Sequence, residues 1–182
     1  RELMGHKRTA LILATGGMGL VRAAYSSGKP AFGVGPGNVP AYVEASADVS
    51  RAVQNIMIGK SFDNGTLCCS EQSLICDRAV ERSVREEILR QGGVFVSSDQ
   101  VEKLSQLAVL PSNLANPKIV GKSASFIAEQ AGLTVPSETR VLVVALDGVG
   151  KEYPLSVEKL SPILSFYVVS DWKEGCERAK EI

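Results

Sequence analysis

The sequence predicts an α/β fold built on a mostly parallel sheet with flanking helices, and three observations carry that expectation. Short apolar, β-branched runs recur along the chain, at 9–14, 73–76, 141–146 and 163–169. Segments of helical period separate them, and glycine or proline stands at most of the joins. Runs that alternate this regularly suit parallel strands, which need a helical crossover to bring the chain back to the same edge.

Taken in order, Thr9 to Ala14 reads as a buried strand. Its apolar run imitates a secretory leader, but Gly16-Gly17 interrupt it too early. Thr15-Gly16-Gly17-Met18-Gly19 turns into a helix over 20–25, closed by Gly28 with Pro30 beyond. Ala31 to Val34 is a second strand, which makes the first third a βαβ unit. Ala41 to Glu44 is a brief strand. Asp48 caps a helix running to Ile58 or Lys60, with Val49, Ala52, Val53, Ile56 and Met57 on one face. A turn over 62–72 precedes the strand Ser73–Cys76. A helix follows from Arg78 to Arg90, then a strand Val94–Val96, then a helix capped by Asp99 and ending near Leu107. After a Pro/Asn-containing connection come a helix 123–131, a strand 141–146, a polar loop 147–156, a strand 163–169 and a helix 171–180.

The 182 residues are 45% hydrophobic and 22% charged, enough for a proper core and too apolar for disorder. Twenty basic and twenty acidic side chains cancel, so no positive field exists to track nucleic acid. No apolar run nears the ~20 residues of a membrane span. The four cysteines, at 68, 69, 76 and 176, lack disulfide-framework spacing and suit a reducing cytoplasm. With His6 as the single histidine, a structural zinc site has too few ligands.

Several motifs fall short. Gly17-Met18-Gly19-Leu20-Val21-Arg22 has arginine where a dinucleotide fingerprint needs its third glycine, although a glycine turn at a helix start can still face a phosphate or ribose. The Gly-Lys-Ser tripeptides at 59–61 and 121–123 lack the leading glycine of a phosphate loop, with Gln54 and Asn116 standing in its place. Cys68 and Cys69 follow the turn signal Asn64-Gly65 and sit between a helix and a strand. There a thiol is either a small buried hydrophobe or a nucleophile held by rigid elements beside unpaired N–H groups.

The stretch Phe62-Asp63-Asn64-Gly65-x-x-Cys68-x-Ser70-Glu71-Gln72 resembles the active-site signature of CoA-acylating aldehyde dehydrogenases. These comprise the acetylating acetaldehyde dehydrogenases and the aldehyde half of the bifunctional aldehyde–alcohol dehydrogenases. Ala14-Thr15-Gly16-Gly17, Ala24-Tyr25-Ser26-Ser27-Gly28-Lys29-Pro30, Gly33-Val34-Gly35-Pro36-Gly37-Asn38 and Glu158-Lys159-Leu160-Ser161-Pro162 are similar to further blocks of the same family, in the same order.

The resemblance implies an aldehyde-dehydrogenase-like fold with Cys68 as nucleophile. It implies that Thr15, Gly16, Gly17 and Gly35 lie against a nicotinamide cofactor, NAD with NADP as the alternative, and that Glu158 accepts hydrogen bonds from the ribose. Coenzyme A is the implied co-substrate and a short aldehyde the substrate. Hydrolytic relatives carry a glutamate base where this chain has Val34. A valine cannot move a proton, so release of the acyl group by a thiol is favoured over water. A hydrolytic enzyme and a non-catalytic assembly module are the alternatives.

Residues 1–36 are expected to be the end of a dinucleotide-binding domain. Residues 37–182 are expected to be most of a catalytic domain, with the family's asparagine oxyanion donor upstream and its oligomerisation strands downstream. A homo-oligomer is implied for the longer bacterial protein, cytoplasmic or housed in a microcompartment.

Overall fold

A computed structural model describes residues 2–182, and they fall into two compact units, one reaching to Gly37 and the other spanning Asn38–Ile182. In the first, a one-turn helix α1 (Glu2–Gly5) precedes strand β1 (Ile12–Thr15), helix α2 (Met18–Tyr25) and strand β2 (Ala31–Val34). The strands pair in parallel, with Ile12 opposite Ala31 and Thr15 opposite Val34.

The expectation of a buried strand over 9–14 is corrected here. Strand β1 begins three residues later and alternates in and out, with Leu13 76% exposed. Two strands with a helix on one face leave the other face uncovered, so apolarity did not translate into burial. Phe32 and Val34 are exposed too. The buried apolar residues described in this unit are Ile12, Ala14, Val21 and Ala24.

The second unit holds strands β3 (Val39–Val43), β4 (Glu71–Asp77), β5 (Gly93–Phe95), β6 (Val141–Ala145) and β7 (Ile163–Val169). They form one all-parallel sheet in the order β3-β4-β7-β6-β5. Helices α3 (Val49–Ser61), α4 (Glu81–Arg90), α5 (Ser98–Ala108), α6 (Ala124–Gln130) and α7 (Trp172–Glu181) flank it.

The period of two sorts the strand residues onto opposite faces. Leu74, Cys76, Val141, Val143, Leu164 and Phe166 meet Val53, Met57 and Ile88 of α3 and α4. Ile75, Leu142, Val144, Ile163, Tyr167 and Val169 meet Leu104, Ala108, Ile127 and Ala128 of α5 and α6. Because both faces are covered, the strands read as unbroken apolar runs.

Helix starts follow local chemistry. The Asp48 carboxylate accepts from the Arg51 N–H (3.1 Å), and the Ser123 hydroxyl accepts from the Phe126 N–H (3.3 Å). The expected cap of α5 is corrected: Ser97, with extended backbone, takes that position, and Asp99 lies inside the first turn where its charge still suits the helix dipole. Helix α4 starts at Glu81, not Arg78. The polar loop 147–156 contains a short 3-10 turn, Pro154–Ser156, whose Leu155 and Ser156 are buried. Asn38 ties the unit together by donating from Nδ2 to the carbonyls of Ser156 (2.7 Å) and Ile182 (2.9 Å).

Phe166 is central to the α3/α4 side. Its ring meets that of Phe95 edge to face at 5.4 Å, and the Arg85 guanidinium lies over both rings at 4.6 and 4.7 Å. Phe166→Ala removes all of these contacts from a fully covered site. It should lower stability by about 3–5 kcal/mol, measured by urea denaturation with an unchanged m-value.

Candidate active site

The turn that carries Cys68 is fixed before the cysteine is reached. Helix α3 ends in a tight turn, Phe62–Gly65, in which Asp63, Asn64 and Gly65 have φ of 46°, 52° and 71°. Three left-handed residues in a row reverse the chain, and Asn and Gly are the types that tolerate it. The Thr66 hydroxyl donates to the Asp63 carbonyl (3.0 Å) and carboxylate (2.8 Å), while Asn64 Nδ2 donates to the Gly121 carbonyl (2.9 Å).

Gly65 is required on a second count. A Cβ there would lie 2.7 Å from the Ser161 carbonyl oxygen and 2.9 Å from that of Lys60. Cys68 and Cys69 follow, both exposed as free thiols, and the Ser70 N–H closes the turn on the Leu67 carbonyl (3.0 Å). The Cys68 N–H donates to no acceptor among the described residues. The chain then enters β4.

Glu158 reaches the same place by another route. It precedes β7 in a loop where Leu160 has φ of 47° and Pro162 leads into the strand. Because β4 and β7 are adjacent and parallel, with Ser73 opposite Ser165, the Cys68 turn and the Glu158 loop both enter at the amino ends of their strands. Gly65 packs on Ser161, and Lys159 donates to Gln72 twice, from its N–H to Oε1 (3.1 Å) and from Nζ to the carbonyl (3.1 Å), which joins them.

Two lysines lie buried at this junction, both with no exposed surface. Lys159 Nζ reaches the carbonyls of Leu155 (2.8 Å), Val157 (2.9 Å) and Gln72 (3.1 Å) and the Ser165 hydroxyl (3.2 Å). Burial holds its ammonium well below the usual lysine range, and nearby Lys60 adds to the effect. Lys60 Nζ donates to Gln72 Oε1 (3.1 Å), the acceptor that also serves the Lys159 N–H. Burial pushes Lys60 down to about 7, against the opposing pull of Glu71 and Glu158.

The sequence reading missed Lys60, Lys159 and Gln72 as functional candidates. A signal was present for Lys60: it continues the apolar face of α3 as Val53, Ile56, Met57, Lys60, a register in which a solvated lysine does not belong.

The other predicted residues lie in the first unit. Thr15 ends β1, the Gly16 N–H donates to the Val34 carbonyl (3.0 Å), and Gly17 starts α2 without a side-chain cap. No atom lies near where a Cβ on Gly17 would sit, and a Cβ on Gly35 would lie 3.1 Å from Met18 Sδ. Thr15, Gly16, Gly17 and Gly35 thus gather at the carboxyl ends of two parallel strands and a helix N-terminus. Open backbone and uncapped N–H groups there fit a phosphate or ribose.

A cleft of about 850 Å³ in the second unit, lined by Val101, Ser105, Val109, Leu146, Tyr153 and Leu155 among others, includes none of the predicted site residues. No helix among the described residues is long and apolar enough to cross a membrane.

Two outcomes follow from these environments. Cys76 is buried and its thiol pushed up to about 12, by burial first and the Glu81 charge second. Iodoacetamide at neutral pH should therefore modify Cys68, Cys69 and Cys176 in the native protein and leave Cys76 intact, read by peptide mass spectrometry. Lys60 sheds its proton near 7 in the folded state, whereas an unfolded lysine keeps it to about 10.4. Between pH ~7 and ~8.5 the unfolded chain binds more protons at this residue, so its contribution makes stability rise with pH, by at most about 1.4 kcal/mol per pH unit. Above that window Cys76 acts in the opposite direction. Urea midpoints at pH 7 and 8 should show the rise in wild type and a smaller one in Lys60→Met.

No family model matches the chain. Along 180 residues it is 43% identical to the bifunctional aldehyde-alcohol dehydrogenase AdhE of Escherichia coli K12, matching 99% of this chain and 20% of that protein. The crystal structure of an acetylating aldehyde dehydrogenase from Geobacillus thermoglucosidasius superposes with a TM-score of 0.95 at 50% identity, over 99% of this chain and 40% of that one. A propionaldehyde dehydrogenase from Rhodopseudomonas palustris, solved with bound CoA and an acylated cysteine, superposes with a TM-score of 0.86 at 27% identity, over 97% and 40%. The chain thus spans a fifth to two fifths of the length of these proteins. Sequence and fold together place it, as a segment, among the CoA-acylating aldehyde dehydrogenases.

Proposed function

We propose that this chain supplies the nucleophile, and part of the cofactor contacts, for the reversible conversion of a short aldehyde, a nicotinamide cofactor and coenzyme A into an acyl-CoA. The observation that carries this reading is the exposed Cys68 thiol on a turn fixed by Asp63–Gly65 and joined to the Glu158 loop. A reactive thiol needs access together with a rigid support, and Cys68 has both.

In the forward direction the Cys68 thiolate adds to the aldehyde carbonyl carbon and forms a thiohemiacetal. The free Cys68 N–H is a donor for the oxygen that becomes negative in that step. Bound nicotinamide, NAD in preference to NADP, supplies the hydride acceptor. Thr15, Gly16, Gly17 and Gly35 would hold its phosphate and ribose side, and Glu158 would accept from the ribose hydroxyls. Loss of hydride from the thiohemiacetal carbon leaves an acyl thioester on Cys68. The unit reaching to Gly37 then belongs to the dinucleotide-binding domain, and Asn38–Ile182 to the catalytic domain.

The resemblance puts Val34 where hydrolytic relatives carry the base for water; it ends β2, exposed, with no proton to exchange. A thiol such as that of coenzyme A needs less help, since a useful fraction is already thiolate near neutral pH. It attacks the acyl carbon, the Cys68 sulfur leaves as thiolate, and acyl-CoA departs.

The test uses the full gene product with acetaldehyde, propionaldehyde or succinate semialdehyde. Reduced cofactor should form in step with acyl-CoA and only when CoA is supplied. Cys68→Ala should lower kcat by about 10³-fold or more, with Cys69→Ala within about twofold of wild type. Carboxylate formed at the same rate without CoA would point to the hydrolytic reaction. Full activity in Cys68→Ala would sink the nucleophile assignment.

A further inference from the structure

We infer that Lys60 is a positioning residue for the nucleophile turn: by holding Gln72 from inside the protein, it locks the segment carrying Cys68 to the loop carrying Glu158. The inference rests on the reading of Cys68 and Glu158 given above and names a residue that acts on both without touching substrate.

The geometry makes Gln72 the hub. Its Oε1 accepts from Lys60 Nζ on α3 and from the backbone of Lys159 in the Glu158 loop, its carbonyl accepts from Lys159 Nζ, and its Nε2 donates to the Ser70 carbonyl (3.3 Å). Three chain segments therefore meet on one side chain that lies four residues beyond Cys68. A buried amide with this many partners has a single orientation, because turning it over would present NH₂ to two donors.

Lys60 also stands against charge. Glu71 and Glu158 pull on it from the start of β4 and from the loop before β7, and Lys159 repels it from that same loop. Glu71 Oε2 is buried with no hydrogen-bond partner, in a space that exists because residue 59 is glycine: a Cβ there would collide with it. A buried carboxylate oxygen left unsatisfied by hydrogen bonds depends on a nearby cation, and Lys60 is placed to provide it. Lys60 holds Gln72 in its fork and, when protonated, offsets the Glu71 charge. Opening the turn between Gly65 and Glu71 would return Lys60 to water and to its ordinary, higher proton affinity, so proton uptake favours the open turn and loss of the proton near 7 favours the closed one.

The deciding experiment combines hydrogen–deuterium exchange with kinetics on the full gene product, comparing wild type, Lys60→Met, Gln72→Met and the double variant. Exchange over residues 66–73, corrected for the intrinsic pH effect, should rise about tenfold in each single variant while the distant strand 141–145 keeps its protection. The value of kcat should fall about tenfold in Lys60→Met and at least as far in Gln72→Met, which also loses its bonds to Lys159 and Ser70, and the double variant should fall no further than Gln72→Met. In wild type, protection of 66–73 should rise between pH 6 and 8, and Lys60→Met should lose that pH dependence.

Additive losses, or wild-type exchange and kcat in a folded Lys60→Met, would overturn the inference. If Lys60→Met does not fold, the wild-type pH dependence of exchange decides alone, and a flat profile overturns it. The exchange readout needs no turnover. A failure of the nucleophile assignment, seen as an active Cys68→Ala, is thereby told apart from a failure of Lys60 to order the turn.

Discussion

Everything at the candidate site depends on β4 and β7 lying side by side and parallel. The two strands are separated by more than eighty residues, yet their adjacency delivers the Cys68 turn and the Glu158 loop to one edge of the sheet. That edge is the amino end. Open parallel sheets more often place ligands beyond the carboxyl ends, where helix N-termini gather. Here the Cys68 turn lies at the opposite edge, whereas the glycine turn of the first unit lies at the carboxyl ends of β1 and β2. Among the described residues these strands supply no helix N-terminus to the Cys68 edge, and the buried side chains of Lys60, Gln72 and Lys159 gather there instead.

The cost of that arrangement is two lysines with no access to water. Removing an ammonium from water is expensive unless its donors are satisfied, and the two are treated differently. Lys159 sits among three carbonyls and a hydroxyl, which offer more acceptors than it has protons. Lys60 has one such acceptor and leans on the charges of Glu71 and Glu158. Lys159 therefore has its donors satisfied where it lies, while Lys60 is balanced between charged and neutral forms at ordinary pH. Only the latter can respond to a change in its neighbours.

Much of the architecture was legible because burial on both faces leaves a plain trace. Strands β2 and β7 match their apolar runs residue for residue, and the Asp48 cap stands where its side-chain chemistry put it. The failures share a cause: each depended on what lies across space. The run over 9–14 is as apolar as a central strand, but nothing in it shows that one face goes uncovered. Cys68 and Glu158 could be singled out because their blocks are contiguous. The Lys159 cage could not, since its acceptors come from Gln72, Leu155, Val157 and Ser165, and no spacing rule relates them. Lys60 was readable from its helical register, although the register alone does not name Gln72 as its partner.

The small core of the first unit has a thermodynamic consequence. Four buried apolar residues described there stand against the two extensive clusters that clothe the five-stranded sheet. Units so unequal in buried area have unequal melting enthalpies, because that enthalpy scales with what each encloses, and the smaller is expected to melt first. Heating this chain should release the glycine-turn unit first and leave the sheet intact, so calorimetry would trace a shallow early event and a sharp later one. A single melting temperature would describe neither unit, and a ligand that grips only the glycine turn would shift the first event alone.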